Sequence, residues 1–385
     1  MKVTCNRERL REALAVVNNV VPIKSPRPAV ENLFFSATDG ALELVGTDME
    51  VSIRFRILGG SGVDIAETGT ALVPARVASD FVRDLDCDVV VIEANGDRCS
   101  IRGGDDHCEL PIIDPEEFPP IMRFESKGAF ALQGGTFSKL VHRTIFAAAK
   151  EQGRYAMHGV LIELAEDAIK FVATDGRRLA ITQSPLDTRS MPPRRAIVPT
   201  KGLSLFSRVV REPLANVEIQ FTENQMALKA RAVVLPDGEG GEPRVTEEIE
   251  AFARLIEGEF PKYTTVIPNS SENSVEAETD LLTRKLRLVA NVTSAETRAV
   301  KLSFGKGELE IKARSPARGE ASARLPVDFK GKPVDIAFNP DFVLDGLKNC
   351  EMTPVRLEFR DRQSPGKFKL GEDYHYVVMP ITVET

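Results

Sequence analysis

Two groupings of side chains in this sequence have the types that could do chemistry. Asp48, Asp175 and His158 would suit metal-assisted hydrolysis, since carboxylates near glycine can hold Mg²⁺ and activate water. Cys99, His107 and Cys108 offer thiolate and imidazole donors of the kind zinc takes. Neither grouping has the spacing of a working site. There is no G-x-x-x-x-G-K-[ST], no H-E-x-x-H and no G-x-S-x-G, and the glycine run at 238–241 follows no strand pattern. Cys5, Cys87, Cys99, Cys108 and Cys350 are odd in number and include no C-x-x-C pair, which predicts reduced, buried thiols. The expectation is therefore a protein with no catalytic residue, no metal site and no cofactor, one that binds rather than reacts.

Charge indicates what it binds. The chain carries a net −7, but helices predicted over 7–19, 75–85, 136–150, 200–211, 280–292 and 339–349 hold 15 Lys and Arg against 7 Asp and Glu. They are net +8 and the remainder is −15. Arg143, Lys150, Lys201, Arg208 and Arg211 have no acidic neighbour within their own predicted helices. Such a surface attracts phosphates without reading base sequence.

The elements that carry these groups recur three times. A turn followed by period-two alternation reads Asp39-Gly40-Ala41-Leu42-Glu43-Leu44, then Glu166-Asp167-Ala168-Ile169-Lys170-Phe171, then Lys306-Gly307-Glu308-Leu309-Glu310-Ile311. The first two copies continue alike as Val45-Gly46-Thr47-Asp48 and Val172-Ala173-Thr174-Asp175, whereas the third diverges to Lys312-Ala313-Arg314-Ser315. Pro74, Pro199 and Pro340 each fall near a helix start, where a missing N–H costs nothing. Leu10, Leu14 and Val17 form one apolar helix face behind the N-cap Asn6. Each module then reads helix, strands, helix, strands, an α+β pattern with mostly antiparallel pairing. The stretch 235–243 reads as a surface hairpin loop between strands. No apolar run approaches the ~18 residues that span a bilayer, and Met1 to Arg7 shows no signal-peptide pattern, so a soluble cytoplasmic chain is expected.

Five ordered segments carry a resemblance: Arg154-Tyr155-Ala156-Met157-His158-Gly159, Val172-Ala173-Thr174-Asp175-Gly176-Arg177-Arg178-Leu179-Ala180, Ile197-Val198-Pro199, Phe260-Pro261-Lys262-Tyr263 and Tyr376-Val377-Val378-Met379-Pro380. With them the whole chain resembles the β sliding clamps, the processivity clamps of the bacterial replicative DNA polymerase. The resemblance implies three similar clamp modules, 1–126, 127–268 and 269–385, with helices lining a hole and antiparallel sheets outside. Two chains would close head to tail into a six-module ring. Twelve helices ~9 Å apart make a ring ~34 Å across at the axes and ~24 Å free, enough for a duplex. The implied partners are double-stranded DNA, a second copy, and polymerase subunits, an ATP-driven clamp loader and repair proteins that present a short hydrophobic peptide. No membrane is implied.

Carried over by position, the resemblance implies DNA contacts at Lys24, Arg76, Lys150, Arg154, Tyr155 and Lys201, and the helix charges add Arg208. Ala156 and Thr200 are weaker matches to the family's DNA-contact positions. The peptide cleft would comprise Met157, Thr174, Gly176, Arg178, Leu179, Pro261, Val266, Val377, Met379 and Pro380. Methionine suits a cleft that serves several ligands, and a glycine lets a peptide approach the backbone. At the dimer contact, Cys108 and Leu110 on the strand ending module one would meet Asn291, Val292 and Lys301 of module three. After Pro380 the family reads Met, Arg and Leu, whereas here Ile381-Thr382-Val383-Glu384-Thr385 follows.

Overall fold

The computed structural model describes the chain apart from residues 39, 152, 154, 166, 190, 235–243, 269–270, 294–297, 306 and 383–385. Its first repeat runs β1 (Lys2–Asn6), α1 (Arg7–Val17), β2 (Asn32–Thr38), β3 (Ala41–Thr47), β4 (Val51–Leu58), β5 (Val63–Glu67), β6 (Gly69–Pro74), α2 (Ala75–Asp84), β7 (Val89–Asn95), β8 (Arg98–Gly103) and β9 (Asp106–Pro111). The second runs β10 (Phe130–Gln133), α3 (Gly134–His142), β11 (Gly159–Ala165), β12 (Ala168–Thr174), β13 (Arg178–Pro185), β14 (Arg194–Pro199), α4 (Thr200–Val209), β15 (Asn216–Phe221), β16 (Gln225–Val234) and β17 (Arg244–Arg254). The third runs β18 (Asn273–Ala277), α5 (Thr279–Ala290), β19 (Val300–Gly305), β20 (Glu308–Ser315), β21 (Gly319–Pro326), β22 (Val334–Phe338), α6 (Pro340–Leu347), β23 (Val355–Phe359), β24 (Gly366–Gly371) and β25 (Tyr374–Val378). Apart from the extra β5, the three orders are the same.

Each repeat opens with a strand, not with the helix that the sequence suggests. These strands have only four or five residues and run straight into the helix start, so their alternation is too short to register. In β1 only Val3 and Cys5 face inward. The Asn6 side chain then accepts the Arg9 N–H at 3.1 Å and starts α1. Leu10, Leu14 and Val17 are buried as their spacing requires, and α1 lies so close to β3 that a Cβ on Gly46 would sit 2.8 Å from Val17 Cγ1. Leu14→Ala would cost about 2–5 kcal/mol.

The predicted helix over 136–150 is shorter. It spans Gly134–His142, because the Thr144 hydroxyl donates back to the Leu140 carbonyl at 2.9 Å and Arg143 turns inward. Lys150 therefore lies beyond the helix, as does Arg211 beyond α4. Residues 235–243 lie outside the described residues, but the strands flanking them, β16 and β17, pair antiparallel.

The described chain divides into two compact units, residues 1–138 with 201–255 and residues 139–200 with 256–385. The first unit holds a five-stranded sheet, β5-β1-β7-β8-β9, and an eight-stranded sheet, β10-β15-β16-β17-β4-β3-β2-β6. The second holds an eight-stranded sheet, β14-β11-β12-β13-β25-β24-β23-β18, and a four-stranded one, β21-β20-β19-β22. Each eight-stranded sheet is two four-stranded halves joined by one antiparallel pair, β17 with β4 and β13 with β25. The first join is stitched by charge: Arg54 on β4 is buried against Glu43 on β3 and Glu250 on β17. The second is apolar, with Leu179 opposite Val377 and Ala180 opposite Tyr376.

Candidate functional site

The second unit carries a cleft of about 590 Å³ at this apolar join. One wall is the turn between β12 and β13. The Thr174 hydroxyl donates to the Arg178 carbonyl at 2.6 Å and accepts the Gly176 N–H at 3.0 Å, while the Asp175 carboxylate accepts the Arg177 and Arg178 N–H groups at 2.9 and 3.1 Å. Gly176 sits at the corner with φ +85°. The opposite wall is the end of β25, where the Met379 N–H donates to the Arg177 carbonyl at 2.8 Å. The Met379 side chain is 38% exposed, so it offers a deformable apolar surface. Phe260, Pro261, Tyr263 and Val266 complete the rim, and the Tyr263 hydroxyl is fixed on the Glu163 carboxylate at 2.5 Å. Leu179, Tyr263 and Val377 belong to the buried cluster beneath. An apolar floor with a few fixed polar groups suits an extended apolar peptide.

The cleft gathers Met157, Thr174, Gly176, Arg178, Leu179, Pro261, Val266, Val377 and Met379. Pro380 is not among its lining residues. Val377, Met379 and Ile381 do not alternate along one strand, because β25 ends at Val378 and the Ile381 N–H turns away to the Ala337 carbonyl. Arg178 lines the cleft, but its guanidinium is committed to Asp175 at 3.0 Å, Asp345 at 2.8 Å and the Phe146 carbonyl at 2.7 Å, so it holds the wall. Sequence reasoning missed Glu259, Phe260, Lys262, Tyr263 and Thr265. The signal was present, since Phe260 to Tyr263 is one of the segments that carry the resemblance. Tyr155, assigned to DNA, also lines the cleft.

The basic residues fare unevenly. Lys24, Arg76 and Lys150 are exposed and form no ion pair among the described residues. Arg208 is exposed on α4, its guanidinium donating to the Asn19 side-chain amide oxygen at 3.3 Å. Arg154 lies outside the described residues. Acids distant in sequence neutralise much of the rest: Lys201 pairs with Asp48, and Arg211 with Glu12 and Glu247, both at 3.2 Å. Arg143 is buried on Glu351. Burial alone would raise the Glu351 carboxyl, but Arg143 and Lys139 outweigh it and hold it below the ordinary carboxylate range. Counting charge helix by helix therefore overstates the free positive charge. Arg284 and Arg287, counted with the helix over 280–292, are exposed on α5 and form no ion pair among the described residues.

Cys108 and Leu110 lie on β9, an open sheet edge, although Leu110 is buried against its own sheet. Asn291 caps α5 and Val292 follows it. Lys301 does not lie on an edge, because β19 pairs with β20 on one side and β22 on the other; β21 is an open edge.

Asp48 and Asp175 fix equivalent turns, in different units. Among the described residues no three His, Cys, Asp or Glu side chains converge as metal ligands. Cys5 and Cys99 are buried, which pushes both thiols up to about 12. No helix among the described residues is long and apolar enough to cross a membrane.

Comparison with known proteins completes this picture. Profiles of the N-terminal, central and C-terminal domains of the DNA polymerase III beta subunit match residues 1–122, 131–236 and 264–382 in order. The beta sliding clamp of Escherichia coli strain K12 is 29% identical over 384 residues, covering 99% of this chain and 100% of the relative. That of Vibrio cholerae is 27% identical with the same coverage. Among solved structures, a Pseudomonas aeruginosa sliding clamp bound to griselimycin superposes with a TM-score of 0.90 at 27% identity, over 100% of both chains. The Bacillus subtilis clamp, 24% identical, shares the fold with a TM-score of 0.91 over 100% of both chains. Matched by all three domain profiles along most of its length, this chain belongs to the DNA polymerase III beta subunit family.

Proposed function

We propose that two copies of this DNA sliding clamp close head to tail around duplex DNA, and that each holds replication and repair proteins by a short apolar peptide seated in the cleft beside β13 and β25. The family's function, a clamp that gives the replicative polymerase processivity, is that of this chain. The cleft is the observation that carries the finer reading: nine of the ten residues expected there line one apolar groove. Polymerase subunits, an ATP-driven loader and repair factors are its partners, and griselimycin, which is bound to the Pseudomonas relative, is expected to occupy this cleft here. The modules are taken as 1–126, 127–268 and 269–385, acting in the cytoplasm without an active site of their own.

Ring closure follows from the internal repeat. Twice within the chain, the last strand of one repeat pairs with the third middle strand of the preceding one: β17 with β4, and β25 with β13. Only β9 of the first repeat and β21 of the third lack that partner. Pairing β9 of one copy with β21 of the other would complete the series and hide two open edges. Counting from the hairpin turn at Gly104 and Asp105, the Glu109 N–H points outward. Glu109→Pro should therefore remove an intersubunit donor and yield monomers in light scattering at low concentration, with the fold kept. A stable dimer would argue against this edge. Leu110→Asp is a poorer test, because Leu110 is only 5% exposed within its own sheet.

Clamping on DNA is tested by retention on nicked circular DNA and release on linearisation. Reversing Lys24, Lys150 and Arg208 to Glu together should shorten retention and lower the salt slope by roughly 0.9 for each phosphate that is no longer neutralised. An unchanged slope would exclude these residues from the DNA surface.

A further inference from the structure

The turn that walls the cleft has a twin in the first unit. The Thr47 hydroxyl meets the Val51 carbonyl and the Met49 N–H, both at 2.9 Å, as Thr174 meets Arg178 and Gly176. Asp48 accepts the Glu50 and Val51 N–H groups at 2.9 Å, as Asp175 accepts those of Arg177 and Arg178. The Arg254 N–H donates to the Glu50 carbonyl at 2.9 Å, as Met379 does to Arg177. The corner residues match too, Met49 at φ +79° and Gly176 at φ +85°. Five hydrogen bonds and one left-handed corner thus recur, yet the cavity at the twin is about 110 Å³ against about 590 Å³.

Met49 shows that this turn does not require glycine for its backbone. A left-handed corner usually favours glycine, but here a methionine holds the same angle with every hydrogen bond intact. Nor does packing demand glycine at 176, where a Cβ would meet no atom within 4 Å. What Gly176 leaves empty is the mouth of the cleft, and at the twin Met49 and Arg254 stand in the places of Gly176 and Met379. We propose that the corner residue decides whether a module join can seat a peptide: Gly176 keeps the second join open, and Met49, with Arg254, closes the first. Each chain is thereby limited to one apolar peptide. This inference rests on the reading of the larger cleft as the peptide site.

Calorimetric titration of the full chain with griselimycin tests it. Gly176→Met should lose at least about tenfold, and Gly176→Ala, which carries the same backbone constraint with little bulk, should lose clearly less, both with unchanged circular dichroism. Met49→Gly combined with Arg254→Met should add a second, weaker binding event per chain. The proposal is overturned if Gly176→Met binds as the parent does, if Gly176→Ala loses as much as Gly176→Met, or if the double variant still takes one ligand. Met379→Ala separates the two readings. If it leaves griselimycin binding untouched, the cleft itself is misassigned; if it weakens binding and Gly176→Met does not, only the role of the corner residue fails.

Discussion

Ending the chain after Val378 should abolish binding of griselimycin or a comparable apolar peptide, and Met379→Ala alone should weaken it roughly 10- to 100-fold. The cut is placed to spare the fold. Val378 is fully buried and pairs with Arg178 on one side and Gly366 on the other, so β25 keeps its ladder. What goes is the Met379 side chain, the Met379 N–H bond to Arg177 and the Ile381 N–H bond to Ala337. Two backbone hydrogen bonds are worth about 1–3 kcal/mol together, a cost the second unit can bear. The cleft, by contrast, loses a whole wall. Dimerisation should persist, since neither β9 nor β21 is touched. Unchanged affinity in a fluorescence titration would mean that the terminal segment is no part of the partner site.

How far the sequence foretells this arrangement depends on the range of the signal. The repeated hairpins and prolines are local patterns, and the three copies with their second helices are visible through them. The opening strands β1, β10 and β18 are not, being too short to alternate recognisably. Ion pairs are the extreme case: Arg143 and Glu351 are 208 residues apart, so no helix-by-helix count could foresee that Arg143 is neutralised. Lys301, carried over from the family as a dimer contact, likewise lies in the middle of a sheet, because β19 pairs with both β20 and β22. The cleft is legible for a different reason. Its residues come from segments distant in the chain, and only the family resemblance brings them together; spacing alone would leave Met157 and Val377 as core residues.

Arg178→Met should destabilise the second unit markedly, and its effect should shrink in acid. The guanidinium ties Asp175, Asp345 and the Phe146 carbonyl into one knot and lies 4.6 Å from the centre of the Phe342 ring. Breaking a fully buried pair costs about 3–5 kcal/mol. Here the Arg178 side chain is 9% exposed, but those of Asp175 and Asp345 are 19% and 32% exposed and keep some water. The expected loss is therefore about 2–3 kcal/mol, roughly 5–10 °C in the melting of that unit. Arg178→Lys keeps the charge without the planar fork and should fall between. Burial alone would raise the Asp345 carboxyl, but Arg178 and Lys348 outweigh it and hold it below the ordinary range. A carboxyl depressed in the folded state stabilises above its unfolded value of ~3.9 and loses that contribution as pH falls through the folded value. The parent should thus surrender in acid what the variant already lacks, and the gap between their melting temperatures should narrow below pH ~4. A gap that stayed constant from neutral pH into that range would mean that Arg178 acts by packing on Phe342 and not through its carboxylates.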